Sequence, residues 1–124
     1  MGAGVPELIE RILELRGISA EWLDEFLTPS IRDLAPSREL PNVDVAAEAI
    51  LAAVRAKRKV VVFGDYDCDG ICATAILVRT LSAFGADVSA FLPERLSEGY
   101  GMSEVSVARM LKDNPGVGLV VTVD

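Results

Sequence analysis

Apolar and polar positions recur with helical spacing in the first third of the chain. This spacing predicts one helix over residues 6–16 and a shorter one over residues 19–28, with Trp22 in the core between them. Residues 28–41 mix prolines with polar side chains, which predicts a surface connection rather than a regular element. We therefore expect a helical lead-in and linker over residues 1–42.

After this linker, the pattern switches repeatedly between helical and strand periods, as expected for a βαβ arrangement. Continuous apolar strands without alternation are typical of a parallel sheet that is covered on both faces. Residues 43–124 therefore predict an α/β fold: a parallel βαβαβ sheet with helices on both faces. The predicted elements are helices over 44–58, 71–84 and 102–112 and strands over 60–63, 87–92 and 119–123. In the helix predicted over 44–58, one face is available for close packing and consists of Val45, Ala49, Ala52 and Ala53.

The length of 124 residues is that of one ordinary domain. Its residues are 51% hydrophobic but only 6% aromatic, which suits a core of aliphatic side chains. The last predicted strand ends at Asp124 without a following turn, an unusual place for a natural domain to stop. We therefore expect the α/β domain to be incomplete.

The formal net charge of −7 argues against a protein that binds nucleic acid by nonspecific basic attraction, because phosphate affinity usually depends on Lys and Arg. If phosphate is the substrate, a metal ion must carry much of the attraction. Cys68 and Cys72 occur without a signal-peptide pattern, which favours a reducing cytoplasm. No apolar run approaches the ~20 residues of a membrane-spanning helix, so we expect no membrane association.

Three carboxylates follow the first predicted strand at alternate positions. Asp65, Asp67 and Asp69 precede Gly70, which is expected to let the backbone turn into the next helix. Two carboxylates ~4 Å apart repel by roughly 4 kcal/mol at an effective dielectric near 20, so a tight cluster requires a cation. Asp124 ends a separate strand at the same predicted sheet edge and could complete the site. Such oxygen ligands suit Mg²⁺ or Mn²⁺, and a pair of such ions supports phosphoester hydrolysis.

Other interpretations share part of this sequence. An EF-hand loop also begins with alternate acidic residues, but its twelfth position would be Ile76 instead of Glu, and a strand precedes it. The segment 67–70 is also similar to the nucleophile loop of haloacid-dehalogenase-type phosphatases. A solvent-exposed acidic turn remains a further alternative. We expect Cys68 and Cys72 to be small packed residues, with a redox pair as the alternative.

Taken whole, residues 61–74, Val-Val-Phe-Gly-Asp-Tyr-Asp-Cys-Asp-Gly-Ile-Cys-Ala-Thr, closely resemble the first motif of the DHH phosphoesterases, in the RecJ branch of single-stranded-DNA exonucleases. Residues 93–95 and 98–102 are similar to the next loop of that family, and residues 120–124 to its second acidic motif. The helical lead-in is similar as well, so the resemblance extends over essentially the whole chain.

The resemblance implies a metal-dependent nuclease that removes nucleotides from the 5′ end of single-stranded DNA in recombination and repair. It implies that Asp67, Asp69 and Asp124 are ligands of Mn²⁺ or Mg²⁺, with two ions in the complete enzyme. Asp65 would be a further ligand, would orient one, or would hold the attacking water, so that Asp65, Asp67 and Asp69 are the catalytic acids. Substrate contacts are implied, as one alternative to mere packing, for Arg95, Gly99, Tyr100 and Gly101. Implied partners are single-stranded DNA, a single-stranded-DNA-binding protein and a RecQ-type helicase.

The chain departs from the family pattern because it contains no histidine. The Asp-His-His motif that names the family would lie beyond Asp124, so we expect no nuclease activity from the chain alone. Two other functions share the fold: a non-catalytic DNA-binding module derived from DHH proteins, and a phosphodiesterase for short oligonucleotides or cyclic dinucleotides. Retention of all three acids between residues 65 and 69 favours an enzyme.

Overall fold

The computed structural model describes residues 5–123, so the predicted ligand Asp124 lies outside the described residues. The chain forms two compact units, over residues 1–41 and 42–124. Over the described part of the chain, no helix is both long and apolar enough to cross a membrane.

The first unit contains two short helices, α1 at Glu7–Leu15 and α2 at Leu23–Leu27. Leu13 and Leu23 are its buried apolar side chains within the described residues. Trp22 is 59% exposed, so the prediction that it belongs to the core is wrong. The physical reason is that α2 has little more than one turn, and Leu23 takes its buried position.

The segment that follows α2 is more regular than the sequence predicted. It forms 3₁₀ turns at Ile31–Asp33 and Ser37–Glu39. In the first turn, the backbone N–H of Ser30 donates to Asp33 Oδ2 at 2.8 Å, and Ser30 Oγ accepts from the N–H of Arg32 at 3.2 Å. These reciprocal bonds cap the first backbone groups of a single helical turn. The prolines of this segment had predicted a connection without regular structure.

The second unit contains a sheet of three strands, β1 at Lys59–Phe63, β2 at Val88–Phe91 and β3 at Val117–Thr122. Their order in the sheet is β2-β1-β3, and both pairings are parallel. Phe63 at the end of β1 is level with Phe91 on β2 and with Thr122 on β3. The elements in chain order are α3 Val43–Arg55, β1 Lys59–Phe63, α4 Cys68–Ala83, β2 Val88–Phe91, α5 Glu104–Asp113 and β3 Val117–Thr122.

Two apolar clusters cover the two faces of this sheet. Because successive side chains of a strand point to opposite faces, the residues of β1 divide between the clusters. One cluster joins Val60 and Val62 to Ala53 of α3 and Leu81 of α4. The other contains Val61, Phe63, Phe91 and Met110, the last contributed by α5. The predicted α/β fold, a parallel sheet with helices on both faces, is confirmed.

Two helices differ in detail from the prediction. Val45 of α3 is 70% exposed and Ala53 is the buried member of the expected packing face, while Ile50 packs against the cluster in place of Ala49. Burying isoleucine removes more apolar surface from water than burying alanine, which accounts for this orientation. Helix α4 begins at Cys68, three residues before the predicted start at residue 71, because Asp67 caps it.

Candidate metal and nucleic-acid site

The chain connects β1 to β2 on one side and then crosses to β3 on the other side of β1. Strand order therefore reverses at β1, and ligands of such sheets bind beyond the carboxyl ends of the strands at this point. A cavity of about 430 Å³ lies there. The residues lining it are Phe63, Gly64, Asp65, Tyr100, Gly101, Met102, Thr122 and Val123. One predicted acid and two residues of the predicted substrate loop thus share one cavity.

The acidic turn, residues 64–69, leaves the end of β1 and leads into α4. The Gly64 N–H still bonds to the carbonyl of Phe91 at 3.0 Å, which ties the start of the turn to the sheet. Asp65 is half-buried, and its Oδ1 accepts from the N–H of Tyr66 at 2.7 Å. Asp67 is exposed, and its Oδ1 caps α4 by accepting from the N–H of Gly70 at 3.0 Å. Each of these hydrogen bonds uses Oδ1 of the carboxylate and does not require Oδ2.

Gly70 permits a close approach between α4 and the acidic turn. A Cβ atom at this position would lie 2.8 to 2.9 Å from backbone and Cβ atoms of Asp65. A Cβ at Gly64 would likewise overlap the hydroxyl of Thr74, which is 4% exposed and has no hydrogen-bond partner within residues 5–123. The acidic turn is therefore packed closely against the first turns of α4 at Gly64 and Gly70, where a side chain would not fit.

The donor chemistry of the turn fits a hard divalent cation, since three of its six residues carry carboxylates. Within residues 5–123, however, no three Asp, Glu, Cys or His side chains are grouped as a metal site would require. Asp69 lies in the first turn of α4 and is exposed. Val123, which precedes Asp124, donates its N–H to the carbonyl of Phe63 at 2.9 Å. Residues 5–123 therefore do not assemble a ligand set by themselves, and the predicted ligand roles stay predictions.

The loop between β2 and α5, residues 93–102, supplies the predicted substrate contacts. The guanidinium carbon of Arg95 lies 5.1 Å from the centroid of the Tyr66 ring, which places this cation beside the acidic turn. Tyr100 is 80% exposed and lines the cavity together with Gly101. Gly99 and Gly101 have φ angles of +81° and +71°, a conformation that favours glycine. The 93–102 loop therefore brings an aromatic ring to the cavity and a cation to the acidic turn.

An ion pair that the sequence analysis missed holds this loop. Arg109 of α5 donates from Nε to Glu98 Oε1 at 2.6 Å and from Nη2 to Glu98 Oε2 at 2.7 Å. The Arg109 hydrogen bonds lower the pKa of the Glu98 carboxyl from 4.5 to about 2, and Glu98 correspondingly raises the pKa of Arg109. Glu98 lies in the loop and Arg109 in α5, so no periodicity within one element gave a signal for the pair.

Both cysteines are exposed thiols, contrary to the prediction that they are packed. They lie in the first turns of α4, where Gly70 and Thr74 occupy the inward positions. The neighbouring thiol of Cys68 raises the pKa of Cys72.

Comparison with known proteins agrees with this geometry. Residues 59–124, from the start of β1 onward, match the family described as the DHH family, N-terminal domain. The chain belongs to the DHH family. This match contains both the acidic turn and the 93–102 loop.

The chain is also similar to single-stranded-DNA-specific exonucleases called RecJ. It is 33% identical to the Bacillus subtilis RecJ over 97% of this chain and 15% of the relative. It is 47% identical to the Thermus thermophilus RecJ over 68% of this chain and 12% of that protein. A crystal structure of exonuclease RecJ bound to manganese matches 64% of this chain and 20% of its own, with 46% identity and a TM-score of 0.59. The chain thus spans less than a quarter of the length of these relatives.

Proposed function

We propose that this chain provides the first acidic motif of a metal-dependent 5′→3′ exonuclease for single-stranded DNA. The observation that carries the proposal is the position of the acidic turn. It follows the central strand, borders the cavity at the point where strand order reverses, and lies within the region matched by the DHH family. In the proposed function, the parent enzyme hydrolyses phosphodiester bonds during recombination and repair in the cytoplasm.

Mn²⁺ or Mg²⁺ is the proposed cofactor, and a solved RecJ structure described as bound to manganese supports this choice. Asp67, Asp69 and Asp124 are the proposed ligands, and Asp65 is a further ligand or holds the attacking water. Bound metal would stabilise the charge that develops on the phosphate oxygens. Because the chain has no histidine, an imidazole ligand would have to come from outside this sequence. On this proposal, the chain alone lacks detectable nuclease activity.

The 93–102 loop is proposed to contact the DNA strand. Arg95 would pair with a backbone phosphate, and the exposed ring of Tyr100 would stack on a base. Gly99 and Gly101 allow the loop to turn at positive φ angles and expose its backbone to the strand. A single-stranded-DNA-binding protein and a RecQ-type helicase are the proposed partners of the parent enzyme.

Calorimetric titration with Mn²⁺ tests the metal site directly. The Asp67→Asn, Asp69→Asn double variant removes two charges but retains oxygen atoms that can cap α4. We expect saturable binding to the wild-type chain and at least tenfold weaker binding to the variant, because amides are poorer ligands of hard cations. The matched control is Asp44→Asn, Glu48→Gln, which removes two charges from α3. Equal loss in both variants would indicate nonspecific attraction and contradict the proposed site.

A hybrid protein tests the reaction. This chain would replace the aligned segment of the Thermus thermophilus RecJ, and digestion of single-stranded DNA labelled at either end would be followed with Mn²⁺ present. We expect degradation from the 5′ end, and loss of that activity with Asp67→Asn, Asp69→Asn. A folded hybrid that binds Mn²⁺ but does not cleave single-stranded DNA would contradict the nuclease assignment for this chain.

A further inference from the structure

The carboxylate of Glu98 is the charged group that attaches the 93–102 loop to α5. Besides its two bonds with Arg109, Glu98 Oε2 accepts from the backbone N–H of Glu94 at 2.8 Å. The side chain of Glu98 is only 4% exposed, although it belongs to a loop in which Leu96 and Tyr100 are largely exposed. Glu98 therefore closes residues 94–98 into a compact turn and directs that turn toward α5.

Arg109 connects this turn to the sheet. Its Nη2 also donates to the carbonyl of Leu92 at 2.9 Å, just after the end of β2, and its guanidinium carbon lies 4.2 Å from the centroid of the Phe91 ring. Phe91 belongs to a buried apolar cluster of the sheet. A planar guanidinium with two bonds to one carboxylate fixes direction as well as distance, which a lysine ammonium would not do.

The loop residues that contact the acidic turn or line the cavity lie on either side of this attachment. Arg95 precedes Glu98 by three positions and contacts Tyr66 of the acidic turn, while Tyr100 and Gly101 follow it and line the cavity. The hydroxyl of Ser103, which caps α5, also lies 3.4 Å from the carbonyl oxygen of Glu98. Rotation of the Glu98 backbone would therefore move both flanks of the loop relative to the acidic turn.

We propose that Glu98 and Arg109 are positioning residues that hold Arg95 and Tyr100 beside the acidic turn for the binding of a single DNA strand. The part concerning DNA rests on the proposed function. On this proposal the pair itself does not contact DNA. The Glu98 carboxylate and the Arg109 guanidinium bond to each other and to the backbone of Glu94 and Leu92. The role of the pair is to fix the loop before DNA arrives, so that binding does not bear the cost of ordering it.

Nuclear magnetic resonance of the full chain tests the positioning role without DNA. The Tyr66 ring shifts the side-chain resonances of Arg95 only while the two groups remain in contact, so this shift reports where the loop lies. In Glu98→Gln and Arg109→Lys we expect the Arg95 ring-current shift to be lost and the amides of Gly99 to Gly101 to become mobile. Resonances of Val60 and Val62 should not change, because they lie in the cluster on the other face of the sheet.

The matched control is the ion pair of Glu48 and Arg55 in α3, whose side chains are about 70% exposed and 3.8 Å apart. Glu48→Gln and Arg55→Lys should leave the Arg95 shift as it is in the wild type. An unchanged Arg95 shift in Glu98→Gln and Arg109→Lys would overturn the proposal. Global unfolding in the conservative Glu98→Gln variant would overturn it too, because the pair would then maintain the whole unit rather than the loop.

Fluorescence anisotropy with a labelled, 5′-phosphorylated oligothymidylate and Mn²⁺ tests the DNA part. Loss of the preorganised loop should weaken binding by roughly tenfold in either loop variant, with wild-type affinity in the α3 controls. Unaltered affinity in the loop variants would overturn this part of the proposal. If the wild-type chain binds no oligonucleotide but the Arg95 shift responds as expected, the positioning role stands and the DNA-binding role of the proposed function fails.

Discussion

Asp67 combines two tasks at one position, because it caps α4 and is a proposed metal ligand. Asp67→Ala removes both, and loss of an N-cap typically costs about 0.5–2 kcal/mol of unfolding free energy. Asp67→Asn should keep near wild-type stability and still weaken Mn²⁺ binding, since asparagine caps helices as well as aspartate does. Urea unfolding combined with Mn²⁺ calorimetry separates the tasks. If Asp67→Ala and Asp67→Asn lower the free energy of unfolding equally, the side-chain oxygen of Asp67 does not stabilise α4 by capping it.

The lack of space at Gly70 leads to a second prediction for a single residue. Gly70→Ala forces a methyl group against the backbone of Asp65, and such overpacking typically costs about 1–3 kcal/mol. We expect lower stability in urea and weaker Mn²⁺ binding, because the acidic turn must move. Cys72→Ala is the control, since Cys72 is an exposed residue of the same helix. Full Mn²⁺ affinity in Gly70→Ala would show that the turn tolerates displacement.

At the residue scale, the sequence predicted the acidic turn better than it predicted which side chains are buried. Alternate acids after an apolar run indicated the turn, and the structure brings Asp65 to the cavity with Tyr100 and Gly101. Burial was harder to predict, as Trp22, Cys68 and Cys72 show by being exposed. Burial depends on which face of an element meets its neighbour, and short elements contain too few positions to define that face.

At the scale of elements, the pH dependence of the 93–102 loop follows from the lowered pKa of Glu98. The pKa of this carboxyl is about 2 in the folded chain and 4.5 without its partners, so the unfolded state binds protons more readily. The contribution of the pair is therefore complete above about pH 4.5 and is lost as the pH falls toward 2. The Arg109 guanidinium also lies beside Asp113, with 3.7 Å between Nη1 and Oδ2.

Amide mobility of Gly99 to Gly101, measured between pH 7 and pH 3, checks this prediction. In the wild type we expect order at pH 7 and increasing mobility below pH 4.5. Glu98→Gln should already be mobile at pH 7 and should show a smaller change on acidification. A pH response of equal size in that variant would show that Glu98 is not the source of the effect.

The strands were more predictable than the helix boundaries. Strand β1 is continuous in apolar residues because both of its faces are covered. This pattern can be recognised in the sequence without knowing which elements cover the strand. Helix α4 begins earlier than its apolar period does, since its start is determined by the cap from Asp67. Parallel pairing places residues such as Phe63 and Thr122 side by side although they are distant in sequence, which no local pattern encodes.

At the scale of the whole molecule, we expect residues 42–124 to fold without residues 1–41. Both apolar clusters of the sheet consist entirely of residues after position 49. The shortened chain should therefore melt within about 5 °C of the corresponding transition of the full chain, because a change of 1 kcal/mol moves the midpoint of a small domain by roughly that amount. Circular dichroism against temperature measures this, and a shortened chain without a cooperative transition would contradict it.

The central position of β1 also determines how motion is distributed around the cavity. Amide protons of β1 are bonded within a strand that has neighbours on both sides, so we expect them to exchange with solvent only when the whole unit opens. The acidic turn is continuous with this slowly exchanging strand, whereas the 93–102 loop lies outside the sheet and is held by side-chain bonds such as the Glu98–Arg109 pair. We therefore expect the amides of that loop to exchange through local openings, well before those of β1.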